Sequence, residues 1–180
     1  KLVANCHKIP QKFFDKRFLS NQELTESINK TIDTLKDICK NDVQILFTVS
    51  PVRHTKDGIV ENQLSKSKLI TAIHESISGK ENCRYLPIYE LMMDDLRDYR
   101  FYAEDMIHLN SQAVQYIWEK FGNAYFTDVT KVFINENNKI LTALNHRTND
   151  DKNPKYQEFL DKINQKMIEQ QKKVKHKIFS

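Results

Sequence analysis

The sequence predicts an α/β domain built on a parallel sheet. Short apolar stretches alternate with longer helical stripes along the chain, and strands that alternate with helices pair in parallel through right-handed crossovers. Val43 to Val49 is almost unbroken in its apolarity, the pattern of a strand covered on both faces. Stop signals separate the stripes: Pro10, Ser50-Pro51, Asp57-Gly58 and Gly79.

Leu2-Val3-Ala4 reads as the end of a strand. It runs into the polar loop Asn5-Cys6-His7-Lys8, and Ile9 before Pro10 is steered away from helix. Ser20 with Glu23 three residues on forms a capping box. Leu24, Ile28, Ile32, Leu35 and Ile38 follow at helical spacing, and Asn41-Asp42 ends that helix. The strand at 43–49 stops at Ser50-Pro51. Leu64, Leu69, Ile70, Ile73 and Ile77 form the next helical stripe, which ends near Gly79. Cys83 to Tyr89 reads as a third short strand, and Glu90 to Arg97 as one or two helical turns. An aromatic loop, Tyr99-Arg100-Phe101-Tyr102, comes next. Asn110 or Ser111 caps a helix whose inner face is Val114, Ile117, Trp118 and Phe121. Two further helices, at 128–145 and 154–177, follow, with Arg147 to Pro154 as the linker between them. The expected organisation is an α/β region over 1–126 and a helical extension over 127–180, packed on the same domain.

Composition bounds the function. The chain has 180 residues, 39% hydrophobic and 29% charged, which suits one soluble domain. No apolar run approaches the ~20 residues of a membrane span, and no secretory signal is visible. Cys6, Cys39 and Cys83 form no even-numbered framework, so reduced thiols in a cytoplasmic setting are expected. The net charge of +4 resides in residues 151–180, where eight lysines face four acidic side chains. Lysines near a helix C-terminus complement its dipole. The segment has no arginine, and Tyr156 and Phe159 sit at core-like spacing, so no nucleic-acid partner is expected.

In open parallel sheets, sites form beyond the carboxyl ends of the strands. Here those ends carry Asn5-Cys6-His7, Ser50 to His54 and the stretch after Tyr89. Asp105-Met106-Ile107-His108 is the sharpest local signal. A spacing of three puts Asp and His on one face of a turn. The carboxylate accepts from Nδ1–H, fixes the tautomer and leaves Nε2 as a general base. Arg53 and Arg100 offer forks that match a carboxylate or phosphate, although an ion pair of an arginine with Asp98 or Glu104 competes. His7, His54 and Tyr102 join them as candidate substrate contacts. Cys6, His7, His54, Asp105 and His108 are metal-ligand types, but none has tight ligand spacing. Neither a metal nor another cofactor is expected.

Three blocks carry a resemblance. They are Asn5-Cys6-His7-Lys8, Thr48 to His54, and Arg97 to His108 (Arg-Asp-Tyr-Arg-Phe-Tyr-Ala-Glu-Asp-Met-Ile-His). In this order they resemble the GSCFA family, itself similar to the SGNH/GDSL hydrolases, over about residues 1 to 121. The resemblance implies a three-layer α/β/α fold and a Ser-His-Asp hydrolase or acyltransferase acting on a small-molecule, glycan or lipid acyl ester. It implies that Asp105 orients His108, the general base, and that Asn5 donates to the oxyanion. The strand ending in Ser50-Pro51 matches the fourth strand of such folds, with Arg53 and His54 beside the crevice.

The family's Gly-Ser-Cys-Phe-Ala signature, which holds its nucleophile, is not in this sequence, and the nucleophilic serine is expected upstream. Internal substitutes fit poorly. Ser50 lacks the Gly-x-Ser-x-Gly elbow, Ser111 suits a helix cap, and Cys6 and His7 point apart if extended. The alternative to an enzyme is a non-catalytic module that keeps the crevice for a glycan, lipid or protein partner.

Overall fold

The computed structural model describes residues 9–40, 43–145 and 154–179. The segment read as a first strand, with Asn5, Cys6 and His7, lies outside the described residues, as does most of the linker at 147–154. The chain divides into two compact units, Lys1–Ile117 and Trp118–Ser180.

The first unit opens with helix α1, Asn21–Ile38, started by the predicted box. Ser20 Oγ accepts from the Glu23 N–H at 3.2 Å, and Glu23 accepts from the Ser20 N–H at 2.9 Å. Strand β1, Ile45–Phe47, pairs in parallel with β2, Cys83–Tyr85, and Ile45 sits opposite Cys83. Helix α2, Ile59–Ile77, makes the crossover between them. It begins five residues before the apolar stripe. Gly58 permits this start with a φ of 104°, a conformation that L side chains rarely adopt. Leu64 accordingly lies on an exposed part of α2 rather than in the core.

The α/β character and the parallel pairing are as expected; the coverage of the strands differs. Ile45 is buried with Ile32 of α1 and Cys83, and Ile28, Leu35 and Ile77 pack around them. Leu46 is 38% exposed, and Arg84 beside it is exposed as well. Successive strand residues point to opposite faces, so among the described residues only one face of this sheet is covered. Ile32 is wholly buried. A side chain of that size removed from water contributes about 1.5–3 kcal/mol.

After β2 the chain makes the short helix α3, Ile88–Glu90, and widens into a π-helical turn at Leu91–Asp95. The Leu96 N–H reaches back to the Leu91 carbonyl at 3.0 Å. Helix α4, Ser111–Tyr125, is started by Asn110, whose Oδ1 accepts from the Ala113 N–H at 3.0 Å. Its buried face matches the expected one only in part: Ile117 packs inward as expected. Val114 is 56% exposed and Trp118 45% exposed, whereas Ala113 is fully buried among Met92, Leu96, Phe101 and Tyr102. The small Ala113 lets the helix backbone approach the two aromatic rings, and Tyr116 and Ile117, three and four residues on, pack on the same cluster.

In the second unit, Trp118, Phe121 and Phe126 form an aromatic cluster with ring centroids 5.2–5.7 Å apart. Helices α5, Asp128–Leu144, and α6, Pro154–Gln171, pack together, with Ile140 and Ile163 buried. Thr127 caps α5 by accepting from the Thr130 N–H. Among the described residues no helix is long and apolar enough to cross a membrane.

Candidate functional site

The site is built on a hairpin-like loop between the aromatic segment and α4. Tyr102 and Leu109 form an isolated antiparallel bridge. Inside it the Ala103 N–H donates to the His108 carbonyl at 2.8 Å, and the Met106 N–H donates to the Ala103 carbonyl at 2.9 Å. Met106 turns the chain with a φ of 59°. For a residue with a Cβ that left-handed conformation costs about 1–2 kcal/mol, and the loop's hydrogen bonds hold it in place. Asn110 anchors the loop's far end: its N–H donates to the Phe101 carbonyl at 3.0 Å, and its Nδ2 donates to the Arg100 carbonyl at 2.6 Å.

This turn brings Asp105 and His108 together. Asp105 Oδ1 accepts the backbone N–H groups of Ile107 and His108, both at 2.9 Å. Oδ2 lies 2.6 Å from His108 Nδ1. The imidazole first, and then the two backbone donors, hold the Asp105 carboxyl down at about 2, against an ordinary 3.8. The pair is open to solvent, with side chains 45% and 63% exposed for Asp105 and His108, so hydrogen bonding sets this charge state rather than burial. With Nδ1 committed to Asp105, Nε2 is the free ring nitrogen, and among the described residues nothing is hydrogen-bonded to it. The pair can accept a proton at Nε2 and stabilise the imidazolium that results.

Arg53 reaches the same loop from the end of the β1 segment. Its backbone N–H donates to the Ile107 carbonyl at 3.2 Å, and its Nη1 donates to the Met106 carbonyl at 3.4 Å. Its guanidinium lies over the ring of Tyr102 at 4.1 Å and over Tyr99 at 5.1 Å. It lines a pocket of about 200 Å³ together with Met92, Met93, Leu96, Tyr99 and Tyr102, and the charged Arg97 and Asp98 line it as well. Tyr99, the two methionines and Leu96 escaped the sequence reading as site residues. Their signal was the step from Met92 to Leu96, one helical turn, set between a strand and the aromatic loop.

His54, next to Arg53, turns to another partner: its Nδ1 lies 3.0 Å from Asp57 Oδ2, and its N–H donates to Asn62 Oδ1. Arg100 lies over Phe101, with Nε 4.0 Å from Asp98 Oδ2. No hydrogen bond or ion pair joins His54 or Arg100 to Asp105 or His108. Ser50 Oγ accepts from the Val52 N–H, and the Ser50 carbonyl accepts from Lys66 Nζ. Ser111 is the first residue of α4. Asn5 and His7 lie outside the described residues. Cys39 and Cys83 are free thiols, exposed and buried respectively. Among the described residues no group of three or more His, Cys, Asp or Glu side chains is arranged to hold a metal.

No curated protein and no solved structure matches this chain. A family model does match, over residues 1–121. That span takes in β1, β2, the Arg53 loop and the Asp105–His108 turn, and on it the chain belongs to the GSCFA family.

Proposed function

We propose that Asp105 and His108 are the orienting acid and the general base of an SGNH-like acyl hydrolase or acyltransferase, on a three-layer α/β/α scaffold. One observation carries this reading. Asp105 is held by two backbone amides and spends its second oxygen on His108 Nδ1. In the proposed reaction a serine hydroxyl attacks the acyl carbon of a small-molecule, glycan or lipid ester. His108 Nε2 takes the hydroxyl proton, and Asp105 stabilises the imidazolium. The C–O bond to the leaving alcohol breaks, and His108 returns the proton to that oxygen. Water or an acceptor hydroxyl then releases the acyl group by the same proton path. Asn5, through its side-chain amide, is the proposed oxyanion donor. His7, Arg53, His54, Arg100 and Tyr102 are the proposed polar contacts to substrate. Arg53 and Tyr102 have the strongest support, since both line the pocket beside the loop.

The test is turnover of a generic acyl ester such as p-nitrophenyl acetate by the complete protein. His108→Ala is expected to lower kcat by about 10²–10⁴-fold, the usual worth of a positioned general base, with the circular dichroism spectrum unchanged. Undiminished turnover by that variant overturns the reading. A second reading has an observation of its own: His108 Nε2 has no hydroxyl against it among the described residues. That favours a non-catalytic module whose crevice holds a glycan, lipid or protein partner. Complete protein that is inert toward acyl esters but binds through this loop selects it.

A further inference from the structure

The pocket that Arg53 lines has three properties that together specify a ligand. The first is an unpaired cation. Asp94 faces Arg97 at 3.3 Å, and Asp98 accepts from the Arg100 N–H and lies 4.0 Å from its Nε. Arg53 has no carboxylate partner among the described residues. Its one side-chain hydrogen bond is the long one to the Met106 carbonyl. The second is an orphan hydroxyl. Tyr102 is 8% exposed, and its buried Oη has no hydrogen-bond partner among the described residues. A buried hydroxyl without an acceptor costs stability until a ligand supplies one. The third is the floor. Met92, Met93 and Leu96 are apolar; Arg97 and Asp98 also line the cavity, the Asp98 carboxylate lying 4.0 Å from Arg100 Nε; and its volume of about 200 Å³ is smaller than the roughly 300–1,000 Å³ of sites for drug-sized ligands.

We propose that this pocket binds a short aliphatic carboxylate. The carboxylate meets the edge of the Arg53 guanidinium and accepts from Tyr102 Oη, and the chain lies on Met92, Met93 and Leu96. Stacking on Tyr99 and Tyr102 fixes the plane of the fork and leaves its edge donors for the ligand. The guanidinium sits over the very ring that carries the orphan hydroxyl, and both side chains line the pocket. A bare phosphate satisfies the cation and leaves the apolar floor unused. The binding stands on the pocket alone; that the occupant is the carboxylate released from an ester substrate by hydrolysis rests on the hydrolase reading above, because Arg53 also touches the loop that carries His108.

The experiment uses the full chain with butyrate as probe, butyramide as its uncharged counterpart and inorganic phosphate as a third arm. Binding is followed by ligand-observed NMR and by the shift in melting temperature. Saturable butyrate binding is expected, with butyramide and phosphate at least tenfold weaker. Arg53→Met lowers butyrate affinity at least tenfold. Tyr102→Phe removes the orphan hydroxyl, so it melts higher without ligand and gains less from butyrate. His108→Ala binds butyrate as the wild type does, which separates this proposal from the catalytic one. Three results overturn it: no saturable butyrate binding, equal binding of butyramide or phosphate, or undiminished butyrate binding by folded Arg53→Met and by Tyr102→Phe.

Discussion

Two aspartate–histidine pairs in the first unit share a spacing and differ in what surrounds them. His54 and Asp57 meet through Nδ1 at 3.0 Å; Asp105 and His108 meet through Nδ1 at 2.6 Å. Both pairs are three residues apart, and both imidazoles are more than half exposed. The difference lies on the other carboxylate oxygen. Asp57 Oδ1 is taken by Lys16 Nζ, and that hydrogen bond is the largest cause of its lowered pKa. Asp105 Oδ1 is taken by two backbone amides. A lysine neutralises the carboxylate that an imidazolium needs, whereas amides position it and leave its charge for the ring. Spacing makes the contact, and the second oxygen decides whom the aspartate serves.

The sharpest way to break this comparison is to remove each imidazole in turn from the complete protein. His108→Ala lowers kcat on an acyl ester by the loss of a general base, about 10²–10⁴-fold. His54→Ala leaves kcat near the wild-type value and, where His54 touches substrate, raises KM. A fall in kcat of equal size in both variants removes the distinction. Next come the carboxylates. Asp105→Asn keeps the shape but frees the tautomer, and is expected to lower kcat by up to about 10⁴-fold, the cost of the wrong tautomer in a Ser-His-Asp arrangement. Asp57→Asn does not lower kcat.

Two helix caps sharpen the same contrast at lower amplitude. Asn110→Ala and Ser20→Ala each lose a cap worth about 1 kcal/mol, measured by urea denaturation. Only Asn110→Ala also lowers turnover, because Asn110 ties the Arg100 carbonyl and starts the helix that follows the loop. The smallest effect is in titration. Asp105 is held at about 2, below its ordinary 3.8, so its contribution to the loop is complete above the unfolded value and disappears as pH falls through about 2. In carboxyl-carbon NMR, His108→Ala moves the Asp105 midpoint up toward the ordinary value. His54→Ala leaves Asp57 depressed, because Lys16 is its main partner.

Much of this was legible in the sequence where the determinants are local. The Ser20–Glu23 box appears as read, because its two hydrogen bonds span three residues. The Asp105–His108 contact was equally readable, since a three-residue step in a turn delivers it whatever lies around. The face of α4 was legible only in part, at Ile117. Spacing alone offers Val114 and Trp118 as readily as Ala113, and the choice fell to Phe101 and Tyr102, which accept only a small side chain close by. Continuous apolarity at 43–49 implied cover on both faces, yet Leu46 remains partly exposed in the described part. A run of apolar residues states what each side chain tolerates and not what is placed against it.

By itself, then, the sequence determined the alternation of strands and helices, the caps and the aspartate–histidine turn. Each depends on hydrogen bonds or periodicities within a few residues. Tertiary structure alone decided that Arg53 lies against Met106 and Ile107, more than fifty residues away. It also decided that Tyr99 and Tyr102 stack on that arginine while Asp94 and Asp98 are spent on its neighbours. The reason is physical. A cation's availability depends on which carboxylates the folded chain leaves beside it, and no local spacing records that.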